Sequence, residues 1–143
     1  MIITIVLVRG NPDSLWIKWQ DQNLADSARA EAFLDYVYED YFLSDADSAL
    51  ILFDELNHFA QERNLEGIRV EILKAVGYLY FRTGRYEEAL ATYEQGLVIA
   101  ERIHDDLGAA DILLRTGYIY HDNEDLIKAL SYYQKSLKIY QRL

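Results

Sequence analysis

The chain repeats itself at an interval of forty residues. Residues 72–80 (ILKAVGYLY) correspond to residues 112–120 (ILLRTGYIY), and residues 87–93 (EEALATY) correspond to residues 127–133 (IKALSYY). A fixed period of this length indicates helix-turn-helix units that bury their apolar faces by stacking. The sequence therefore predicts an all-α solenoid of about three repeats. We expect six repeat helices, antiparallel within each pair and wound right-handed, after one short leading helix.

The clearest unit predicts helices over residues 65–82 and 86–103, separated by a turn at Gly84. Glycine ends a helix at low cost because it adopts the left-handed conformation easily. In the next unit, residues 122–125 form the corresponding turn. There Asn123 is the candidate for the left-handed position, and Asp125 is the candidate cap of the following helix.

Two glycines occupy equivalent places inside predicted helices, Gly77 and Gly117. A glycine in a helix interior costs about 1 kcal/mol relative to alanine. Its recurrence suggests that the partner helix, at Ala89 or Ala129, approaches too closely for a side chain.

Composition predicts one continuous domain, because a single proline and seven glycines leave little material for linkers. We expect a domain over residues 11–143, with repeats near 27–64, 65–104 and 105–143. Asn11 and Pro12 are typical of a helix start. The helix that follows carries Trp16 and Trp19, which we expect to cover the exposed end of the stack rather than to bind a ligand.

Residues 1–10 are apolar at their start and favour a strand over residues 2–8. They lack a basic region and are too short to span a bilayer. Two interpretations stay open. An ordinary N-terminal extension implies a cytoplasmic protein, whereas the remnant of an export signal, with a cleavage context at residues 8–10, implies an extracytoplasmic (periplasmic) one.

The repeats resemble the tetratricopeptide repeat family. In that family a bulky residue, a leucine-like residue, glycine and tyrosine mark the first helix, and alanine, an aromatic residue and alanine mark the second. The matching positions are Leu73, Val76, Gly77, Tyr80, Ala89, Tyr93 and Gly96, then Leu113, Thr116, Gly117, Tyr120, Ala129, Tyr133 and Ser136. The longer period and the absence of the usual proline imply the long-helix variety found in signalling scaffolds.

The front of the chain also resembles the sensor regions that precede class III nucleotide cyclase or histidine kinase modules in some bacteria. The segments that carry this second resemblance are residues 12–16, 19–21, 26–29 and 41–49. It implies that the chain is part of a larger signalling protein.

Charge and residue content exclude several classes of function. The net charge is −10, and residues 1–63 carry 12 acidic and 4 basic side chains. Such a field repels nucleic acids and anionic membranes and permits a basic partner. There is no cysteine, and His58, His104 and His121 lack metal-ligand spacing. We find no catalytic motif, so we expect no enzyme activity, cofactor or metal.

First-helix positions beside the core face are the candidate partner-binding groove. They are Glu71, Lys74, Tyr78, Arg82, Asp111, Arg115, Tyr118 and His121. Family members that clamp a terminal carboxylate use lysine and asparagine there, and this chain has Tyr78 and Tyr118 where that asparagine would be. The resemblance therefore disfavours a carboxylate clamp. Tyrosines suit an extended peptide or a neighbouring helix, and the alternative is a solvated face without a ligand.

The last predicted helix presents a candidate self-association edge. Its residues are Leu130, Tyr133, Leu137 and Tyr140, which a following helix would normally cover. We expect this surface to be covered by a continuation of the chain, or by a second copy through a two-fold contact.

Glu31, Asp35 and Glu39 lie on one face of a predicted helix and repel one another. A neighbouring base such as Lys74, or a basic partner, would neutralise them. A calcium site is least favoured because helical carboxylates lack a looped oxygen cage.

These patterns predict a non-catalytic protein- or peptide-binding module, the sensor or interaction region of a larger bacterial signalling protein. The alternative is a structural module that dimerises.

Overall fold

The computed structural model describes residues 14–143, and this part of the chain forms seven α-helices and no strand. The helices are α1 Ser14–Gln20, α2 Asp26–Asp40, α3 Ala46–Glu62, α4 Glu66–Arg82, α5 Tyr86–Arg102, α6 Asp106–Asp122 and α7 Leu126–Tyr140. The predicted all-α fold, with six repeat helices after a short leading helix, is confirmed. The predictions for residues 1–10 and for the Asn11-Pro12 helix start fall outside the described residues.

The turns from α3 to α7 recur every twenty residues with the same geometry. Their left-handed residues are Asn64, Gly84, His104 and Glu124, with φ angles of 56°, 74°, 58° and 61°. In each turn the left-handed residue donates its amide to the carbonyl three residues earlier, and the next residue donates to the carbonyl five residues earlier. This hydrogen-bond pair satisfies the last carbonyls of the helix. The prediction that Asn123 is left-handed is wrong, since its φ is −83° and Glu124 occupies that conformation.

Three of these helices begin with an aspartate cap, and in α3 the Asp45 carboxylate accepts a hydrogen bond from the Ser48 amide at 3.1 Å. The Asp105 carboxylate accepts a hydrogen bond from the Gly108 amide at 2.8 Å, and Asp125 accepts one from the Lys128 amide at 3.1 Å. Each bond satisfies an amide that lacks a partner in the first turn. The predicted capping role of Asp125 is confirmed.

The described residues divide into two compact units, residues 14–59 and 60–143. The core of the first is aromatic. Trp19 is buried, stacks on Phe33 at 4.5 Å between ring centroids and meets Phe59 edge-on at 4.6 Å. Trp16 packs on Phe33 and Tyr36 at 5.9 and 5.5 Å. Both tryptophans are therefore core residues of the first unit.

In the second unit α4 packs on α5, α5 on α6, and α6 on α7. Small and branched side chains fill the interfaces, and the buried cluster contains Val70, Leu73, Ala89, Tyr93, Ile99, Ala100, Ala109, Ile112 and Ile119. Leu90 and Leu97 of α5 pack against this cluster. The single continuous domain of residues 11–143 and its repeat boundaries stay predictions.

Gly77 and Gly117 are needed because a tyrosine ring lies directly over each of them. A Cβ atom on Gly77 would lie 2.6 Å from Cδ1 of Tyr93, and one on Gly117 would lie 2.6 Å from Cδ1 of Tyr133. Both separations are far inside van der Waals contact. The predicted close approach is therefore present, but its cause is the tyrosine ring one turn beyond Ala89 or Ala129.

Candidate partner-binding groove

Lys74 joins the two helices that contribute the candidate groove. Its Nζ atom lies 2.9 Å from Glu71 Oε1 on α4 and 3.1 Å from Asp111 Oδ2 on α6. Arg115 reaches the same carboxylate, with Nε 3.6 Å from Asp111 Oδ2. The structure thus places four of the predicted residues in one ionic cluster across α4 and α6.

This cluster leaves Lys74 a poor ligand for a partner's carboxylate. Burial lowers its pKa, but hydrogen bonds and charge from Glu71 and Asp111 outweigh burial and raise the pKa above the usual lysine value. Lys74 therefore stays protonated at neutral pH, and two carboxylates already neutralise it. These two contacts of Lys74 agree with the expectation that the groove does not clamp a terminal carboxylate.

Three of the acidic residues of α2 share one face of the helix, and Lys74 was one suggested counter-charge for them. Glu31, Asp35 and Glu39 all lie on the open face of that helix. Water can solvate exposed carboxylates and screen their repulsion.

Two guanidinium groups lie near the Tyr78 ring. The Cζ atom of Arg115 is 5.8 Å from the centroid of the Tyr78 ring, and that of Arg82 is 5.9 Å from it. A cation over an aromatic face at this distance is attracted by the ring quadrupole. Both arginines therefore help to hold the Tyr78 ring in place on the surface of α4.

Tyr93, which the sequence indicated only as a position of the repeat pattern, also belongs to this site. Its side chain is 2% exposed, and burial raises its pKa to about 12, although the charge of Arg115 and a hydrogen bond from it act in the opposite direction. The hydroxyl of Tyr93, on α5, therefore contacts Arg115, which is a member of the ionic cluster. One sequence signal could have predicted this contact. The position carries tyrosine rather than phenylalanine, and a buried hydroxyl needs a polar partner.

Tyr118 and His121 make different contacts from the other six groove candidates. The Tyr118 ring is 48% exposed and meets Tyr133 edge-on at 5.7 Å. His121 is exposed in the last turn of α6, with Nδ1 3.9 Å from Asp122 Oδ1. The connected part of the site therefore consists of Glu71, Lys74, Tyr78, Arg82, Asp111 and Arg115.

The second unit consists of consecutive helices of 15–17 residues, with equivalent interior glycines and a tyrosine ring over each of these glycines. Residues 69–142 match the family model described as Tetratricopeptide repeat. The chain belongs to the tetratricopeptide repeat (TPR) family. A search of curated proteins gave no match. TPR domains generally mediate protein–protein interactions, and their all-helical fold is typically a non-catalytic interaction module.

The self-association edge predicted for the last TPR helix is partly exposed. Leu130 and Leu137 are 56% and 55% exposed, and Tyr140 is 38% exposed. Tyr133 is half-buried, because its ring packs over Gly117 and against Tyr118. Three of the four edge residues are therefore accessible on α7.

Two further properties concern the described TPR helices as a group. Over residues 14–143 no group of three or more histidine, cysteine, aspartate or glutamate side chains is arranged to hold a metal ion. None of the helices in this range has the length and apolar content needed to cross a membrane.

Proposed function

We propose that this TPR chain binds a protein partner or peptide through the surface formed by α4 and α6. The observation that carries the proposal is the Tyr78 ring, which has the guanidinium groups of both Arg82 and Arg115 near it and lies close to a lysine that two carboxylates already neutralise. An aromatic ring fixed in this way supplies apolar area at little entropic cost, and arginines beside it supply directional hydrogen bonds.

The proposed ligand is an extended peptide or a helix that contacts Tyr78 and the exposed ring of Tyr118. The neutralised ionic cluster between α4 and α6 offers little net attraction to a terminal carboxylate. Affinity would then come from aromatic contact and from arginine hydrogen bonds rather than from a charge clamp.

Selection from a displayed library of random peptides tests this proposal. Peptides selected on the wild-type chain should lose at least about tenfold in affinity when Tyr78→Ala and Tyr118→Ala are combined, because tyrosine and arginine anchors dominate such interfaces. The exposed Gln95, on the side of α5 opposite Tyr93, provides the control Gln95→Ala, which should retain the affinity. Equal binding by the double variant, with an unchanged circular dichroism spectrum, would place the binding site elsewhere.

We further propose that the module is the sensor or interaction region of a larger bacterial signalling protein, a class III nucleotide cyclase or a histidine kinase. The support is the resemblance of its front segments to such sensor regions. Sequencing the gene beyond the codon for Leu143 tests this context. A cyclase or kinase catalytic module encoded there would agree with it, and an unrelated module would contradict it.

The alternative function is structural self-association, and the exposure of Leu130 and Leu137 is the observation that favours it. Light scattering over a wide concentration range distinguishes the two functions. A dimer that Leu137→Glu dissociates would support self-association, whereas a monomer that binds the selected peptides would support the binding module.

A further inference from the structure

Each of the two groove tyrosines is followed, four residues later, by a charged side chain, and these two charges are opposite. Arg82 follows Tyr78 on α4, and Asp122 follows Tyr118 on α6. Residues four apart lie on the same face of a helix, so each charged side chain borders its tyrosine. Because α4 and α6 contact each other, the repeat places a cation and an anion at equivalent positions of neighbouring helices.

Both of these charged side chains are available to a partner. Arg82 is exposed, and over residues 14–143 it contacts the Tyr78 ring and forms no ion pair with a carboxylate. The Asp122 side chain is 47% exposed, and its one ion-pair contact in that range is a long one, 3.9 Å from its Oδ1 to His121 Nδ1.

The less exposed charges of the same surface are already paired. Lys74 contacts two carboxylates, and Arg115 contacts one of these carboxylates and a buried tyrosine hydroxyl. A partner that replaced one of these contacts would gain an ion pair and lose another. Net electrostatic attraction is therefore left to Arg82 and Asp122.

Helix stability accounts for Arg82 but not for Asp122. Both residues are in the last turn of their helices, where the helix dipole favours a cation and disfavours an anion. The change of sign between the two repeats is therefore unfavourable for α6 itself. It gives the surface one positive and one negative end.

We propose that the partner of this surface is a peptide segment with two opposite charges, an acidic side chain that pairs with Arg82 and a basic one that pairs with Asp122. The axes of packed helices are roughly 8–10 Å apart, and an extended chain advances about 3.3 Å per residue, so the two charges are about three residues apart. A peptide with two like charges meets repulsion at one end and is rejected.

This inference rests on the binding function proposed above for α4 and α6, and it specifies the ligand. The test uses a library of random peptides, each embedded within the display protein so that it has no free terminal carboxylate. Peptides that require Tyr78 and Tyr118 should be enriched in one acidic and one basic residue about three positions apart. Selection on Arg82→Gln combined with Asp122→Asn, which leaves the net charge unchanged, should abolish that enrichment.

Exchange of the two charges tests the contacts directly. Arg82→Glu combined with Asp122→Lys also keeps the net charge, so the general field of the chain stays the same. The affinity of a peptide selected on wild type should fall about tenfold at low salt, and exchanging the acidic and basic residues of the peptide should restore it. The matched control is Lys138→Glu combined with Glu94→Lys, two exposed residues outside α4 and α6, which should leave the affinity unchanged.

Three results would overturn the inference. Peptides that need both tyrosines but carry no such charge pattern, or a charge exchange without loss and rescue, would contradict it and leave the proposed function in place. Binders recovered only from a second library with free C-termini would assign the surface to a terminal carboxylate. Peptides that keep their affinity in Tyr78→Ala combined with Tyr118→Ala would contradict the proposed function and the inference with it.

Discussion

At the scale of single residues, Gly77 and Gly117 show how one missing side chain fixes the spacing of two helices. The Tyr93 ring over Gly77 is almost completely buried, whereas the Tyr133 ring over Gly117 is half-buried and can turn toward solvent. A methyl group added at Gly77 therefore meets a ring that cannot move, whereas one added at Gly117 meets a ring that can move aside.

We expect Gly77→Ala to lower the free energy of unfolding by about 1–3 kcal/mol, because overpacking exceeds the helix propensity gained. Gly117→Ala should cost less. Gly67→Ala is the control, since a Cβ there meets no atom within 4 Å, and it should stabilise the fold by about 0.4–1 kcal/mol. Urea unfolding measures all three. Equal effects at Gly77 and Gly67 would contradict the role of the Tyr93 ring.

Tyr93 makes the fold sensitive to alkaline pH. Its pKa is about 12 in the folded chain and close to the ordinary value of 10.0 when unfolded, so its contribution is complete below pH 10 and is lost as pH rises toward 12. The size of that loss is about 2–3 kcal/mol. The difference in unfolding free energy between wild type and Tyr93→Phe should therefore change between pH 9 and pH 12. A difference that stays constant over this range would contradict the buried hydroxyl.

The sequence predicts the close contact at Gly77 but not the atom that makes it. Helix propensity disfavours glycine inside a helix, so its recurrence at a fixed period indicates that a neighbouring group comes close at both positions. To predict that the Tyr93 ring makes this contact, and that its hydroxyl lies beside Arg115, one must know how α4, α5 and α6 are rotated relative to one another. That rotation depends on packing across helices, which no single-helix pattern encodes.

At the scale of helices and turns, the sequence predicts the helix limits well and the turn residues less well. Gly84 indicates its own left-handed position because glycine adopts it without strain. Glu124 gives no such signal, and the neighbouring Asn123 is a better candidate by residue type alone. The choice between Asn123 and Glu124 is made by the hydrogen bonds of the turn. In all four turns these bonds require the left-handed residue to be the second one after the helix ends.

Replacing Glu124 by glycine should stabilise the fold, because the left-handed conformation is unfavourable for residues with a Cβ atom. The expected gain in the free energy of unfolding is about 0.5–1 kcal/mol after the entropy of glycine in the unfolded chain is subtracted. Thermal or urea unfolding measures it.

Gly84→Ala, at the equivalent position of an earlier turn, is the matched reverse change and should destabilise by about 1 kcal/mol. A loss of stability in Glu124→Gly would show that the Glu124 side chain contributes more than its backbone conformation costs.

At the scale of the whole molecule, the family and the fold follow from the period, but the partner does not. Six of the groove candidates lie in contact, as their shared first-helix positions suggest. The choice of partner depends on which surface charges remain unpaired after folding. Ion pairs between helices, such as Lys74 with Asp111, decide this and have no local sequence signal.

The net charge predicts a salt effect on stability. A chain of net charge −10 repels itself when folded compactly, and salt screens that repulsion. We expect the Tm at pH 7 to rise as NaCl increases from low to moderate concentration.

A measurement near the isoelectric pH of about 4.6 serves as the control, because the net charge there is close to zero. The salt-dependent rise should be absent or much smaller at that pH. A Tm that falls with salt at pH 7 would mean that attractive ion pairs outweigh the net repulsion.

The identical turns have a consequence for how such a chain can change over generations. Each left-handed residue follows the previous one by twenty positions, and equivalent helices recur after forty. A tandem copy of the gene segment encoding residues 65–104 would meet, at both of its junctions, a turn of the length it already has. Gain or loss of helix pairs is therefore a mutation that needs no compensating change in any turn. The number of repeats can evolve independently of the surfaces that a given repeat presents.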